Sequence, residues 1–402
     1  HGGWPLMDPA VLPRSVLLAV PLYLLLVVVL RGRSALVKHA LAAVVALALA
    51  AGLSLLLPAG TISYVTTFLL MGSIYAVLTL GLNVQWGYTG LFNIGVAAFF
   101  AVGAFTSALF TLKMPTGAAA AFTQQAFGFG APFWVGLLAA GVVAGVLALV
   151  VGWPTLRLRG DYLAIATIGI AELVRLVFQN ERWLANGPQP LRGIPQPLSC
   201  LTGSGCDWLP GFVNAFFDPL APRDYPYLYV AIVALVLFLV YTGLERAIRS
   251  PWGRVLRAVR EDEDAAAMVG KNVAAFRMQA FVVGAVIMGI GGSLYAHYVV
   301  AIDYGHFDPL YGTFLIWVML MLGGSGNNRG AVLGALLVWA IWTGTSFLVD
   351  ALRPTLEAIS PVLPQRGPYV RLLLIALLML FIVLYRPRGV LPEEKVVSLT
   401  RD

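Results

Sequence analysis

Apolar residues fall along this chain in continuous stretches rather than in alternation, at roughly 15–30, 39–57, 62–82, 92–112, 133–153, 162–180, 226–244, 276–300, 309–322, 329–349 and 368–385. Most of these stretches approach the ~20 residues a helix needs to cross a hydrocarbon layer. Inside lipid only helices and closed barrels satisfy their own backbone. Barrel strands alternate apolar and polar positions, and these runs do not. The pattern predicts an all-α polytopic transmembrane helical bundle of about eleven spans, some broken or re-entrant where glycine is dense. Residues 1–402 read as one integral membrane domain, with amino-terminal helices at 15–57 and a core at 62–385.

The segments between runs differ in character. The stretch 113–132 is mostly Ala, Gly and Phe; 181–225 is rich in Pro and Gly; 245–275 carries most of the charge. With the carboxyl terminus placed in the cytoplasm, 17 of the 26 Lys and Arg fall on the inner side and 7 on the outer, with Arg175 and Arg371 inside spans. Positive residues accumulate on the cytoplasmic side of membrane proteins. The amino terminus is therefore expected outside and the carboxyl terminus inside. That makes 181–225 a periplasmic loop and 245–275 a cytoplasmic one. Val16–Leu30 has the length of a signal-peptide core but no small-residue cleavage site, and reads as the first span. Met7 is a candidate initiator.

Composition narrows the function. With 59% hydrophobic and 11% charged residues, the chain lacks the charged surface of a soluble domain, about a quarter of residues. The net charge of +7 does not point to nucleic acid, because no basic stripe is interleaved with aromatics. Cys200 and Cys206 lie in the outer loop, where an oxidising compartment favours a disulfide; metal binding is the alternative, but no His lies near and no metal is expected. Gly270-Lys271-Asn272 lacks the upstream Gly and the hydroxyl of a phosphate loop. The chain is thus expected to hold no cofactor, and no enzymatic motif is present.

In the inner segment, Asp264 is positioned to cap a short helix beginning at Ala265, and Gly270 to end it. Arg254, Arg257 and Arg260 flank it, with Glu261, Asp262 and Glu263 at its entrance. Asp264-Ala265-Ala266, three residues, then Gly270 resembles the Glu-Ala-Ala---Gly coupling loop of ABC importer permeases, with Asp in place of Glu. The stretch from Gly253 to Ala266 resembles the LivM-like permeases of branched-chain amino acid uptake. So do Gly81-Leu-Asn-Val, Gly87 to Gly95, Leu156 to Thr167, Glu172-Leu-Val-Arg175, Gly291 to His297 and Leu322 to Gly330. Val96 departs from the His found in many members, and the outer loop looks longer than usual. The resemblance implies a permease that couples, through residues 254–270, to two separate ATP-binding cassette subunits holding ATP and Mg. It further implies a second, LivH-like permease and a periplasmic substrate-binding protein. The bland alternative for the loop is a solvated charged connector.

Polar residues inside spans are costly and need partners or a wet cavity. Asn83, Gln85 and Asn93 flank glycine-rich breaks and either line the translocation path or bond between helices. Glu172 and Arg175, three apart on one helical face, either lie by that path or pair with each other. His297 and Asp303 are expected at a helix end near the membrane interface. Glycines 284, 289, 291 and 292 are expected to allow close helix packing. Substrates expected for such a permease are branched-chain or related small amino acids. Urea, short amides or aromatic acids are alternatives on the same architecture. An ion-coupled secondary transporter is the rival mechanism, but it leaves the Asp-Ala-Ala---Gly loop without a purpose.

Overall fold

A computed structural model describes residues 11–29, 35–56, 59–117, 123–158, 160–203, 206, 210–359 and 366–393. Met7, Arg31, Arg33, Arg159, Lys395 and Arg401, which entered the reading of the sequence, lie outside the described residues. The chain opens with α1 (Val11–Val29), α2 (Ala35–Leu56) and α3 (Ala59–Leu82). The last of these widens into a π-helical turn at Asn83–Gly87, and the chain then runs without helix to Gly95. There follow α4 (Val96–Thr111), α5 (Phe133–Thr155), α6 (Asp161–Asn180) and the short α7 (Arg182–Ala185) and α8 (Gly211–Phe217). Next come α9 (Tyr225–Arg249), α10 (Pro251–Glu261), α11 (Glu263–Met268) and α12 (Val273–Val299). A second π-helical turn, Leu310–Phe314, leads into α13 (Leu315–Gly323), and α14 (Asn328–Ile359) and α15 (Gly367–Tyr385) complete the bundle. The ladder between β1 (Leu191–Arg192) and β2 (Ala301–Ile302) pairs Leu191 with Ile302.

Among the described residues six helices are long and apolar enough to cross a membrane: α1, α3, α5, α9, α12 and α14. Shorter apolar stretches lie in α2, α4, α13 and α15. The 20-residue α6 is in neither group and carries Asp161, Glu172, Arg175 and Gln179. The chain is a multi-pass helical membrane protein. The predicted run 329–349 is too short for α14, which continues to Ile359 as a polar extension carrying the Arg353–Glu357 pair at 2.8 Å.

Lipid leaves little hydrophobic drive between helices, so close packing of small residues holds them together. The glycines of α12 supply it. A Cβ at Gly289 would strike Ala140 and Ala144 of α5, and one at Gly292 would strike Phe100 and Ala104 of α4. Gly284 and Gly291 face Gly81 and Leu78 of α3 in the same way. The outer face of α5 carries Trp134, Leu138, Val142, Val146, Val150 and Trp153, all exposed from the fold. Its two tryptophans lie about 28 Å apart along the axis at 1.5 Å per residue, close to the thickness of the hydrocarbon layer. Arg371, inside α15, lays its guanidinium on the Trp342 ring at 4.4 Å and bonds Ser346.

Candidate functional site

The charged segment 245–275 is helical almost throughout. Ser250 leaves α9 in an extended conformation and Pro251 opens α10, a position where its missing N–H costs nothing. Gly253 permits a tight reversal, since a Cβ there would collide with the Ile248 backbone. On α10, Leu256 and Val259 are buried while Arg254 is exposed. Asp262 then breaks the helix with φ −154° and caps α11, its carboxylate accepting from Asp264 N at 3.0 Å and Ala265 N at 2.9 Å. The expected cap at Asp264 and the expected helix Ala265–Gly270 are thus corrected. Helix α11 spans Glu263–Met268, and Asp264 occupies its first turn, where a negative charge meets the positive end of the helix dipole. Gly270 lies beyond the end with φ +78°. Its N–H bonds Ala267 O and that of Lys271 bonds Ala266 O, the paired closure of a Schellman motif.

Helix α11 is anchored to the body through Ala266 and Glu263. Ala266 is buried, and Glu263 meets Arg277 of α12 at 3.0 Å. Asp264, Ala265 and Ala267 are exposed, and so are Met268 at 88% and Val269 at 72%. A small cavity lies beneath the arm, lined by Gly90, Phe92, Leu163, Glu263, Asp264 and Arg277. Arg260 donates to the Gly87 carbonyl and to Glu393 at 2.7 Å. Arg257 lies 3.8 Å from Glu393 and places its guanidinium over Tyr88 at 5.8 Å.

Asn83, Gln85 and Asn93 are brought together at the break after α3, each 0% exposed. Asn83 donates to Asn328 at 3.0 Å and accepts from Gly326 N at 2.9 Å. Gln85 donates to Phe281 O at 2.8 Å and accepts from Asn93 at 2.7 Å. Asn93 also accepts from Gly95 N at 2.7 Å, and its carbonyl takes the Trp317 indole N–H at 3.1 Å. Buried amides require such partners, and here they bind the break to α12, α13 and α14. Glu172 and Arg175 pair with each other at 2.9 Å, with Arg175 also near the Tyr304 ring. Among the described residues no hydrogen bond or ion pair joins this half-exposed pair to the amide cluster.

At the opposite end, Cys200 and Cys206 are bonded, with Cα atoms 5.2 Å apart. Asn214 grips Cys206 through both its N–H and its carbonyl. His297 stands in the last turn of α12, at the expected helix end, and is 0% exposed there. Its Nδ1 donates to Pro195 O at 2.7 Å, since a carbonyl can only accept, and Nε2 takes the Ser107 hydroxyl at 3.0 Å. The loop segment at Pro195 folds back over α12 and removes the ring from solvent. Reading the sequence missed Arg277, Asn328 and Glu393, whose one visible signal was a polar residue beside a Gly-rich or terminal segment.

A family model described as "Branched-chain amino acid transport system / permease component" matches residues 64–383. The high-affinity branched-chain amino acid transport system permease protein LivM of Salmonella typhimurium is 31% identical over 336 residues, covering 81% of this chain and 69% of that protein. The probable LivM permease of Methanocaldococcus jannaschii is 28% identical over 84% of this chain and 96% of its own length. LivH of Escherichia coli, a permease of the same transport system, is 26% identical over 67% of this chain and 80% of its own. No solved structure matches the chain.

Proposed function

This chain belongs to the family of permease components of branched-chain amino acid transport systems, and from that membership we propose how it works. It is one permease of an ABC importer, and a LivH-like permease forms the other half of the translocation path. Two ATP-binding cassette subunits carry ATP and Mg, and a periplasmic binding protein delivers a branched-chain or related small amino acid. The chain crosses an inner (plasma) membrane eleven times, with its amino terminus outside and its carboxyl terminus in the cytoplasm. The eleven crossings are α1, α2, α3, the 88–111 segment with α4, α5, α6, α9, α12, the 310–323 segment with α13, α14 and α15.

The α10–α11 arm is the handle on which the ATPase pulls. What supports this role is the geometry of α11, capped at both ends, anchored at Glu263 and Ala266, and exposing Met268 and Val269. A short helix closed at each end moves as a unit, and an exposed Met–Val tip suits an apolar cleft in a partner. At the other end, exposed Trp183 and Phe212 offer aromatic contacts to the binding protein.

Co-purification tests the assembly: the ATPase subunits should be recovered with this chain. Uptake should fail on ATP depletion and survive a protonophore, whereas the opposite result means an ion-coupled carrier. Asp264→Lys and Gly270→Pro should abolish import while the protein stays in the membrane. Normal import by both variants removes the handle. Screening ligands of the cognate binding protein identifies the substrate.

A further inference from the structure

We propose that Glu393 is a positioning residue for coupling: with Arg260 it forms a rigid tie that carries displacement of the α10–α11 arm to the π-helical turn after α3 and to the glycine turn between α13 and α14. The proposal rests on the handle role of that arm.

Arg260 stands on the last turn of α10 and joins it to two further elements. One guanidinium nitrogen donates to Gly87 O, the final carbonyl of the π-helical turn that interrupts α3. A second donates to Glu393 at 2.7 Å, and Arg257 adds a looser contact to the same carboxylate. Both members of the Arg260–Glu393 pair are mostly covered, with 25% and 29% of their side chains exposed. Such a charge-assisted contact is stronger than a fully solvated surface pair.

Glu393 is itself held fast. The stretch before it bonds the end of α13, Val390 N to Leu322 O at 2.8 Å and Leu391 N to Gly323 O at 3.0 Å. Asn327 donates to Pro392 O at 3.1 Å. These contacts fall on the glycine turn between α13 and α14, where Gly324 and Gly326 have φ +109° and +78°. Gly326 N in turn bonds Asn83, on the α3 break. The two turns are therefore linked directly through Asn83 and a second time through Arg260 and Glu393. Space is reserved for the tie. A Cβ on Gly90 would lie 3.2 Å from Arg260 Cγ, and one on Gly326 would lie 3.0 Å from the Glu393 carboxyl carbon.

A rigid tie between a handle and these two turns gives a push on α11 a direct route to the place where one span departs from α-helix and to the connection between two others. It also explains why two arginines one turn apart converge on one carboxylate that lies 133 positions from Arg260.

The test uses the complete complex in proteoliposomes with its binding protein, and reads ATP hydrolysed per leucine imported. Removing a charged hydrogen bond of this kind weakens a coupled equilibrium by about tenfold. Glu393→Ala and Glu393→Gln should assemble with the ATPase, keep hydrolysing ATP, and raise that ratio about tenfold. Glu393→Asp, which keeps the charge, should recover part of the coupling. An unchanged ratio in assembled Glu393→Ala overturns the tie, and so does failure of both Ala and Gln variants to assemble, which would make the residue structural. Asp264→Lys and Gly270→Pro run alongside. If they import normally, the handle itself is wrong; if they uncouple while the Glu393 variants do not, only the tie falls.

Discussion

The α10–α11 arm and the disulfide loop are both connectors between long helices, and they are held by different means. The arm is closed by Asp262 at one end and Gly270 at the other, and it touches the core through ion pairs at Glu263–Arg277 and Arg260–Glu393. The loop is held by Cys200–Cys206, by the β1–β2 ladder, and by Tyr225 and His297 bonding the carbonyls of Pro197 and Pro195. Ion pairs and helix caps fix the internal shape of a segment while letting it shift as a piece. Buried hydrogen bonds and a covalent link fix its position against the core. Under the proposed handle role, the arm would move as a body while the loop stays in place.

That contrast can be broken by substitution, and the largest effect is expected in the loop. His297→Ala leaves the Pro195 carbonyl and the Ser107 hydroxyl short of a buried partner and opens a void. The cost is about 3 kcal/mol of stability. A fall in the melting temperature of the purified protein reads it, and an unchanged melt refutes the fixed platform. Replacing both Cys200 and Cys206 by Ala should cost about 2 kcal/mol, the loop-closure value for so short a ring, seen as faster proteolysis within 181–225.

The arm should behave the other way. Gly270→Val forces a β-branched residue to φ +78° with no atom within 4 Å of the new Cβ, so the cost is conformational and local, about 2 kcal/mol. Import should drop sharply while the melting temperature holds; a lowered melt would show that the arm is part of the core. The smallest expected effect sharpens the cap assignment. Asp262→Ala should weaken α11 by about 1 kcal/mol and reduce import, whereas Asp264→Ala should disturb the helix less. Amide exchange at Asp264 and Ala265 separates the two.

The sites were unequally legible. The spacing Asp264-Ala265-Ala266 to Gly270 located the arm, and Gly270 does close it. Four consecutive acidic residues, Glu261 to Asp264, hid which one leaves the helix, because each sits within a turn of the free N–H groups. The choice followed from α10 packing Leu256 and Val259 against the body, which places the break at Asp262. The pairing of Glu172 with Arg175 was visible because they lie three positions apart on one helix. The partner of Asn83 was not, since Asn328 lies 245 positions away.

What the sequence determined alone is everything that depends on local spacing: continuous apolar runs long enough to cross lipid, glycines along α12 that admit neighbouring helices, and a charged segment with helix-ending chemistry. Only the tertiary structure decided which polar groups meet across the bundle. It buried His297 beneath the outer loop, joined the α3 break to the turn between α13 and α14 through Asn83, and set Glu393 against Arg260. The reason is physical: a membrane helix fulfils its backbone needs by itself, whereas a buried side chain must find its partner on whichever segment packing brings near.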